Sequence, residues 1–182
     1  MRRRLAAVVL ACGLGAARLG AGELPDILLL TVDTLRADRL GAYGCERATS
    51  PRIDALLAEG ARFSEARTIE PLTAPALASM ITSLHPHDHA ATRNGLRMRS
   101  DLPSLPKVLA RRGYETAAFV GNWTLRDQLL GMGEHFTTYE EVLERRRWLG
   151  LMRGEATAGD LNAPALAWVD RQLEQAERRP LF

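Results

Sequence analysis

The sequence predicts an α/β protein, layered α/β/α around a mostly parallel central sheet. Residues 27–32 (ILLLTV) form a short unbroken apolar run, β-branched at Ile27, Thr31 and Val32. A strand buried on both faces of a parallel sheet reads this way, without the alternation of a half-solvated strand. Segments with helical punctuation follow, and then a second β-like run at residues 114–120 (YETAAFV). Alternating strands and helices are the pattern of layered α/β folds.

The first strand ends in Asp33. Residues 50–60 (SPRIDALLAEG) then predict a helix, with Ser50 as cap, Pro51 in the first turn and Gly60 as a left-handed stop. Its apolar face is Ile53, Leu56 and Leu57, and residues 61–66 suit a short strand. A second helix begins between Thr73 and Pro75 and runs to Leu84, burying Leu77, Met80, Ile81 and Leu84. A third spans residues 105–112, with Pro106 early and Gly113 at its end. Residues 139–148 read as a helical piece. The last helix is placed at residues 162–179, capped by Asn162, with Pro164 in its first turn and Leu166, Val169 and Leu173 as its stripe. Pro180, Leu181 and Phe182 look like the entry to another strand, so the domain is expected to be truncated at this point.

Residues 1–22 are a separate expectation. Arg2, Arg3 and Arg4 precede a short apolar run, and small residues continue to Gly22, the layout of an export signal. The protein is therefore expected in the periplasm or outside the cell, with residues 23–182 as its folded-domain portion. The alternative is a disordered or helical start on a cytosolic protein. Val9-Leu10-Ala11-Cys12 resembles a lipoprotein processing site, which would attach the protein to a membrane through a lipid on Cys12. No run of about 18 apolar residues occurs that would span a bilayer.

The chain has 24 basic and 22 acidic residues, a net +2. Residues 1–22 carry Arg2, Arg3, Arg4 and Arg18 and no acid, so the remainder stands at −2. A near-neutral body lacks the basic face of a nucleic-acid-binding protein, and Arg145, Arg146 and Arg147 read as a solvated helix face. Cys12 and Cys45 cannot supply a disulfide framework or a cysteine-based metal site.

Three places could carry chemistry. Asp33 sits at the carboxyl end of a predicted strand, where open α/β sheets bind ligands. A carboxylate suits a hard divalent cation, and it equally suits a helix cap or an ion pair. Thr73, in Pro71-Leu72-Thr73-Ala74-Pro75, reads first as an N-cap. A hydroxyl there also faces the positive end of the helix dipole and its free N–H groups, which favours an anionic ester. Metal coordination would make it a nucleophile. His85, His87 and His89 alternate around Pro86; imidazoles bind metals, and this spacing more often marks a polar loop near a site. Asn94-Gly95 marks a turn. No Gly-rich phosphate loop follows residues 27–32, which disfavours a nucleotide-binding protein.

In order, these pieces resemble one family. Residues 30–44 (LTVDTLRADRLGAYG), 50–63, 71–89 (PLTAPALASMITSLHPHDH) and 121–125 (GNWTL) look like the opening of bacterial sulfatase-family proteins in the alkaline phosphatase superfamily. The resemblance implies an alkaline phosphatase-like fold and one or two divalent metals (Ca, Mg, Mn or Zn). It implies Asp33 as a metal ligand and Thr73 as nucleophile and possible ligand, with Asn122 lining the anion pocket. The substrate would be a small-molecule, glycan or lipid ester of sulfate or phosphate.

The departures are chemical. Sulfatases carry at the Thr73 position a cysteine or serine that becomes formylglycine, followed by x-Pro-Ser-Arg. Here the block reads Thr73-Ala74-Pro75-Ala76-Leu77. Threonine cannot become formylglycine, and Leu77 replaces the supporting arginine. The paired aspartates are reduced to Asp33-Thr34. Asn122 and Thr124 stand where the family keeps a lysine and a histidine. A threonine nucleophile is familiar in the superfamily's phosphatases and phosphoryl transferases, whose plain hydroxyl attacks phosphorus. The remaining metal ligands are expected beyond Phe182, so residues 1–182 alone are expected to be inactive. The rival expectation is a non-catalytic binding protein that kept the fold and lost the site.

Overall fold

The computed structural model describes residues 24–147 and 152–182. The expected export signal, Cys12 and Trp148 lie outside the described residues. The chain divides into two compact units, Met1–Arg67 and Thr68–Phe182. Among the described residues no helix is long and apolar enough to cross a membrane.

In the first unit, short 3-10 turns at Ala37–Arg39 and Gly41–Tyr43 precede helix α1, Pro51–Glu59. Polar side chains bind the second turn to α1. Asp54 Oδ1 accepts the Ala42 N–H at 2.8 Å, and Ser50 Oγ accepts the Gly41 N–H at 3.1 Å while donating to the Asp54 carboxylate at 3.0 Å. Gly41 is a glycine because a Cβ there would strike the Asp54 carboxylate. Ser50 is thus drawn away from capping, and α1 begins without a side-chain cap bond. Gly60 is extended (φ −123°), not the expected left-handed stop.

Two strand expectations fail in this unit. Residues 27–32 form no strand, and Leu28, Leu29, Leu30 and Val32 are exposed. A strand buried on both faces needs ladder partners on its edges, and no described residue of this unit is in a strand. Residues 61–66 form a turn for the same reason.

The second unit holds the core and the parallel sheet. Helix α2 is Thr73–Thr82, α3 is Pro86–His89 and α4 is Leu105–Arg111. Strand β1, Ala117–Val120, follows α4 through Gly113 in a left-handed conformation (φ 90°). Helix α5 is Asp127–Leu130, and β2 is Thr138–Glu141. β1 and β2 pair in parallel from Ala117↔Thr138 to Val120↔Glu141. Glu115 pairs in parallel with Leu181. The Glu115 and Ala117 N–H groups donate to Pro180 and Phe182 oxygens at 2.9 and 2.8 Å, while Thr116 and Val120 oxygens accept from Thr138 and Val142. Alternate residues bond to opposite sides of a strand, so this run lies between β2 and residues 180–182. The expected strand entry at the end of the chain is therefore present.

Residues 138–147 correct the expected helix at 139–148. Its Glu and Arg residues favour a helix weakly, and strand pairing outweighs that preference. Beyond β2, β3 at Arg145–Arg147 pairs antiparallel with β4 at Met152–Glu155. Arg145, Arg146 and Arg147 thus lie on a strand, not a helix face.

The last helix, α6, is Ala158–Leu173. It starts before the expected Asn162 because Thr157 and Asp160 form a reciprocal capping box, with Thr157 N–H donating to Asp160 Oδ2 at 2.7 Å and Asp160 N–H to Thr157 Oγ1 at 3.3 Å. Pro164 falls inside the helix. Its buried contact is Trp168, set edge-on to Phe119 of β1 at 6.2 Å, while Leu166 and Leu173 are exposed.

The core gathers Ala74, Ala78 and Ile81 of α2 with Ala91, Met98, Val120, Leu125, Leu130 and Met132. Leu77, Phe136 and Tyr139 pack against it. α2 therefore buries its small face. Met80, expected inside, is 50% exposed, because the helical period that points Ala74, Ala78 and Ile81 inward points it outward.

Candidate functional site

Thr73 is the first residue of α2 and is partly exposed. The first turn that would face an anion is largely closed by the protein itself. Ala74 N–H donates to Asn94 Oδ1 at 3.0 Å, Pro75 has no N–H, and Ala76 N–H donates to Leu72 O at 3.0 Å. A helix N-terminus attracts anions through unsatisfied donors, and the start of α2 offers fewer than expected: the Ala74 N–H is taken by Asn94 and Pro75 has none.

Asn122 lies just past the carboxyl end of β1 and heads a 3-10 turn at Trp123–Leu125 that packs on α2. Its Oδ1 accepts from both Thr124 N–H and Thr124 Oγ1–H at 2.9 Å. This acceptor end is committed to the turn, and only the side-chain NH2 is of the kind that grips an anion. The neighbouring Trp123 indole N–H is buried, with no hydrogen-bond partner among the described residues.

The alternating histidines do not converge. His85 and His87 are exposed, whereas His89 is fully buried, with Nε2 2.9 Å from Ser79 Oγ. Ala91 N–H donates to His89 Nδ1 at 3.2 Å. Nδ1 is thereby an acceptor and the proton resides on Nε2. Burial holds this imidazole below its usual pKa, so it is neutral. His135 is likewise buried and lowered, with Nδ1 2.9 Å from Ser104 Oγ. Burial raises the Tyr139 hydroxyl, which donates to the Leu125 carbonyl.

Asp33 belongs to the first unit, and Thr73 and Asn122 to the second. Asp33 is exposed in a turn with Thr34, whose φ of 56° is in the left-handed region. For a β-branched residue that conformation is an outlier costing on the order of 1–3 kcal/mol; no sequence pattern announces it. A divalent cation takes several oxygen ligands, and Asp33 offers one carboxylate. Among the described residues no group of three or more His, Cys, Asp or Glu could hold a metal ion, so these residues do not fit one as a complete site.

Asn94 is the residue that sequence reasoning missed. Asn94-Gly95 was legible as a turn, but its hydrogen bond to the start of α2 crosses twenty residues.

The sequence matches the sulfatase family profile over residues 25–146. It is 29% identical over 101 residues to an N-acetylglucosamine-6-O-sulfatase of Bacteroides thetaiotaomicron, covering 56% of this chain and 18% of that protein. It is 33% identical over 135 residues to N-acetylgalactosamine-6-sulfatase of Canis lupus familiaris (67% and 25%), and 36% identical over 118 residues to arylsulfatase A of Bos taurus (60% and 23%). The matches thus span a quarter or less of these relatives. Among solved structures, one complex with its substrate D-glucosamine-2-N,6-O-disulfate superposes with a TM-score of 0.62 at 20% identity, covering 80% of this chain and 30% of that one. Ps i-CgsB in complex with k-i-k-neocarrahexaose gives 0.64 at 21% (82% and 42%). These structural likenesses are of fold, and they agree with the α/β class expected from the sequence.

Proposed function

The chain belongs to the sulfatase family, and from that premise we propose that it is the amino-terminal part of an exported ester hydrolase or transferase with Thr73 as nucleophile. The observation that carries the reading is the place of Thr73, which opens α2 within the matched region. A threonine hydroxyl cannot supply formylglycine chemistry, so the proposed ester is a phosphoester. Thr73 Oγ forms a bond to phosphorus as the ester oxygen–phosphorus bond breaks and the alcohol leaves with a proton. Water or an acceptor alcohol then takes the phosphoryl group and restores the hydroxyl. A sugar is the proposed carrier, supported by the relative named N-acetylglucosamine-6-O-sulfatase and by the sugar complex among the structural neighbours.

A divalent cation is part of the proposal because the family generally uses one. Asp33 would contribute one ligand, and the others would come from outside the described residues. In the full-length protein, aryl phosphate, phosphodiester and aryl sulfate are the substrates to compare. Phosphoester turnover that vanishes in Thr73→Ala supports the reading; sulfate turnover alone overturns it.

A second reading, a non-catalytic binding protein, is favoured by the self-satisfied Ala74 N–H and Asn122 Oδ1. Stoichiometric divalent metal that is lost in Asp33→Ala would decide for the enzyme.

A further inference from the structure

We propose that Asn94 is a positioning residue for Thr73, setting the first turn of α2 from a separately anchored loop. The role of Thr73 as nucleophile rests on the reading above; the geometry that fixes its backbone does not. α2 starts without a cap of its own, since the side chain of Leu72 makes no capping bond. Ala74 is fully buried, so its N–H is shut off from water and needs a protein acceptor. Asn94 Oδ1 is that acceptor, at 3.0 Å.

The loop carrying Asn94 is held independently of this bond. Leu96 N–H closes the turn on Arg93 O at 3.2 Å, and Gly95 takes φ 87°, which glycine allows without strain. Arg99 N–H donates to His89 O at 3.0 Å and Met98 N–H to Leu130 O at 2.9 Å. His89 grips Ser79 in the middle of α2, and Asn94 grips its start. The peptide linking Thr73 to Ala74 is thereby fixed against a rigid loop, and with it the backbone from which the Thr73 hydroxyl projects. An amide oxygen performs this without charge. A carboxylate would make the same bond but place a negative charge beside an incoming anion. Asn94 acts through the Ala74 peptide and not on the ester.

Asn94 is exposed, so its replacement leaves no cavity. In the 182-residue chain, Asn94→Ala is expected to speed Ala74 amide exchange at least about tenfold and to change the Hα–Hβ coupling of Thr73, and Asn94→Asp to restore both. In the full-length protein with 4-nitrophenyl phosphate, Asn94→Ala is expected to lower kcat by about 10- to 100-fold with KM unchanged. Asn94→Asp should recover kcat and raise KM. Unchanged exchange and coupling in Asn94→Ala overturn the proposal whatever the activity, and so does an unchanged kcat. A wild type that turns over no ester defeats the nucleophile reading instead, and the exchange and coupling data then decide the positioning.

Discussion

His89 Nε2 lies 2.9 Å from Ser79 Oγ in the interior of the second unit, joining the end of α3 to the middle of α2. The Ala91 N–H on the opposite ring nitrogen fixes which tautomer makes this contact. Protonating Nδ1 would set two donors against each other, and burial opposes the charge as well.

The consequence is a pH dependence of stability with a definite sign. Burial is the first cause of the lowered pKa of both His89 and His135; at His89 the backbone of His89 and Pro75, and then Asp88, oppose it, and at His135 Lys107 reinforces it while Glu134 and Asp127 oppose it. The unfolded chain therefore binds more protons than the folded one once pH falls below the ordinary histidine value of about 6.5. Stability is full above that value and falls as pH drops, by up to about 1.4 kcal/mol per pH unit for each histidine. Urea titrations at pH 7.5 and 5.5 should show the loss, and His89→Gln should flatten it. An equal slope in the variant would remove His89 from this account.

Gly41 predicts a second outcome. Asp54 holds the Ala42 N–H and fills the space a Cβ would need. Gly41→Ala should destabilise the first unit by about 1–3 kcal/mol, the range for overpacking. Adding Asp54→Ala should make the two effects less than additive, because the collision partner is gone. Strict additivity in thermal melts would mean that Gly41 is constrained by something else.

Local signals mark some elements of this fold, and long-range pairing decides the others. α1, α2 and α4 are legible because their starts are written locally, in Pro51, in Thr73 to Pro75 and in Pro106. α6 starts before Asn162 and Pro164, which look like a start in the sequence, because the side chains of Thr157 and Asp160 satisfy the first turn earlier. Residues 138–141 needed knowledge of their neighbour: only the pairing to β1 makes them a strand. Residues 27–32 show the converse, a strand-like sequence whose unit holds no described ladder partner. At the candidate site, the motifs single out Thr73 and Asn122 as candidates. What satisfies their surroundings, Asn94 and Thr124, carries no such mark, because hydrogen bonds across a turn leave no periodic trace.

The Thr157–Asp160 box offers a control remote in sequence from Thr73. Thr157→Ala should cost about 1 kcal/mol and speed amide exchange in the first turn of α6. Exchange at Ala74 should not change. Spread of the effect to α2 would show that the second unit opens as one piece.

Export is testable without activity. Residues 1–22 are proposed to be removed in the mature protein, with cleavage near Gly20-Ala21-Gly22. Mass spectrometry of the mature amino terminus should begin near Glu23. A lipid-modified Cys12 at the terminus would support membrane attachment, and an intact Met1 would sink both.

Thr73 carries the sharpest prediction, because substitution there separates a residue that only opens a helix from a nucleophile. Its side chain is partly exposed and the core contacts at this end of α2 belong to Ala74 and Pro75. Thr73→Ala should therefore leave the melting temperature within a few degrees, since Thr73 is the first helical residue rather than the cap and alanine is the better helix former there. Phosphoester turnover in the full-length protein should fall to background. Thr73→Ser keeps the hydroxyl and should retain measurable turnover, with a phosphoryl group trapped on residue 73 by rapid acid quench. Activity that survives Thr73→Ala would leave Thr73 as the first residue of a helix and nothing more.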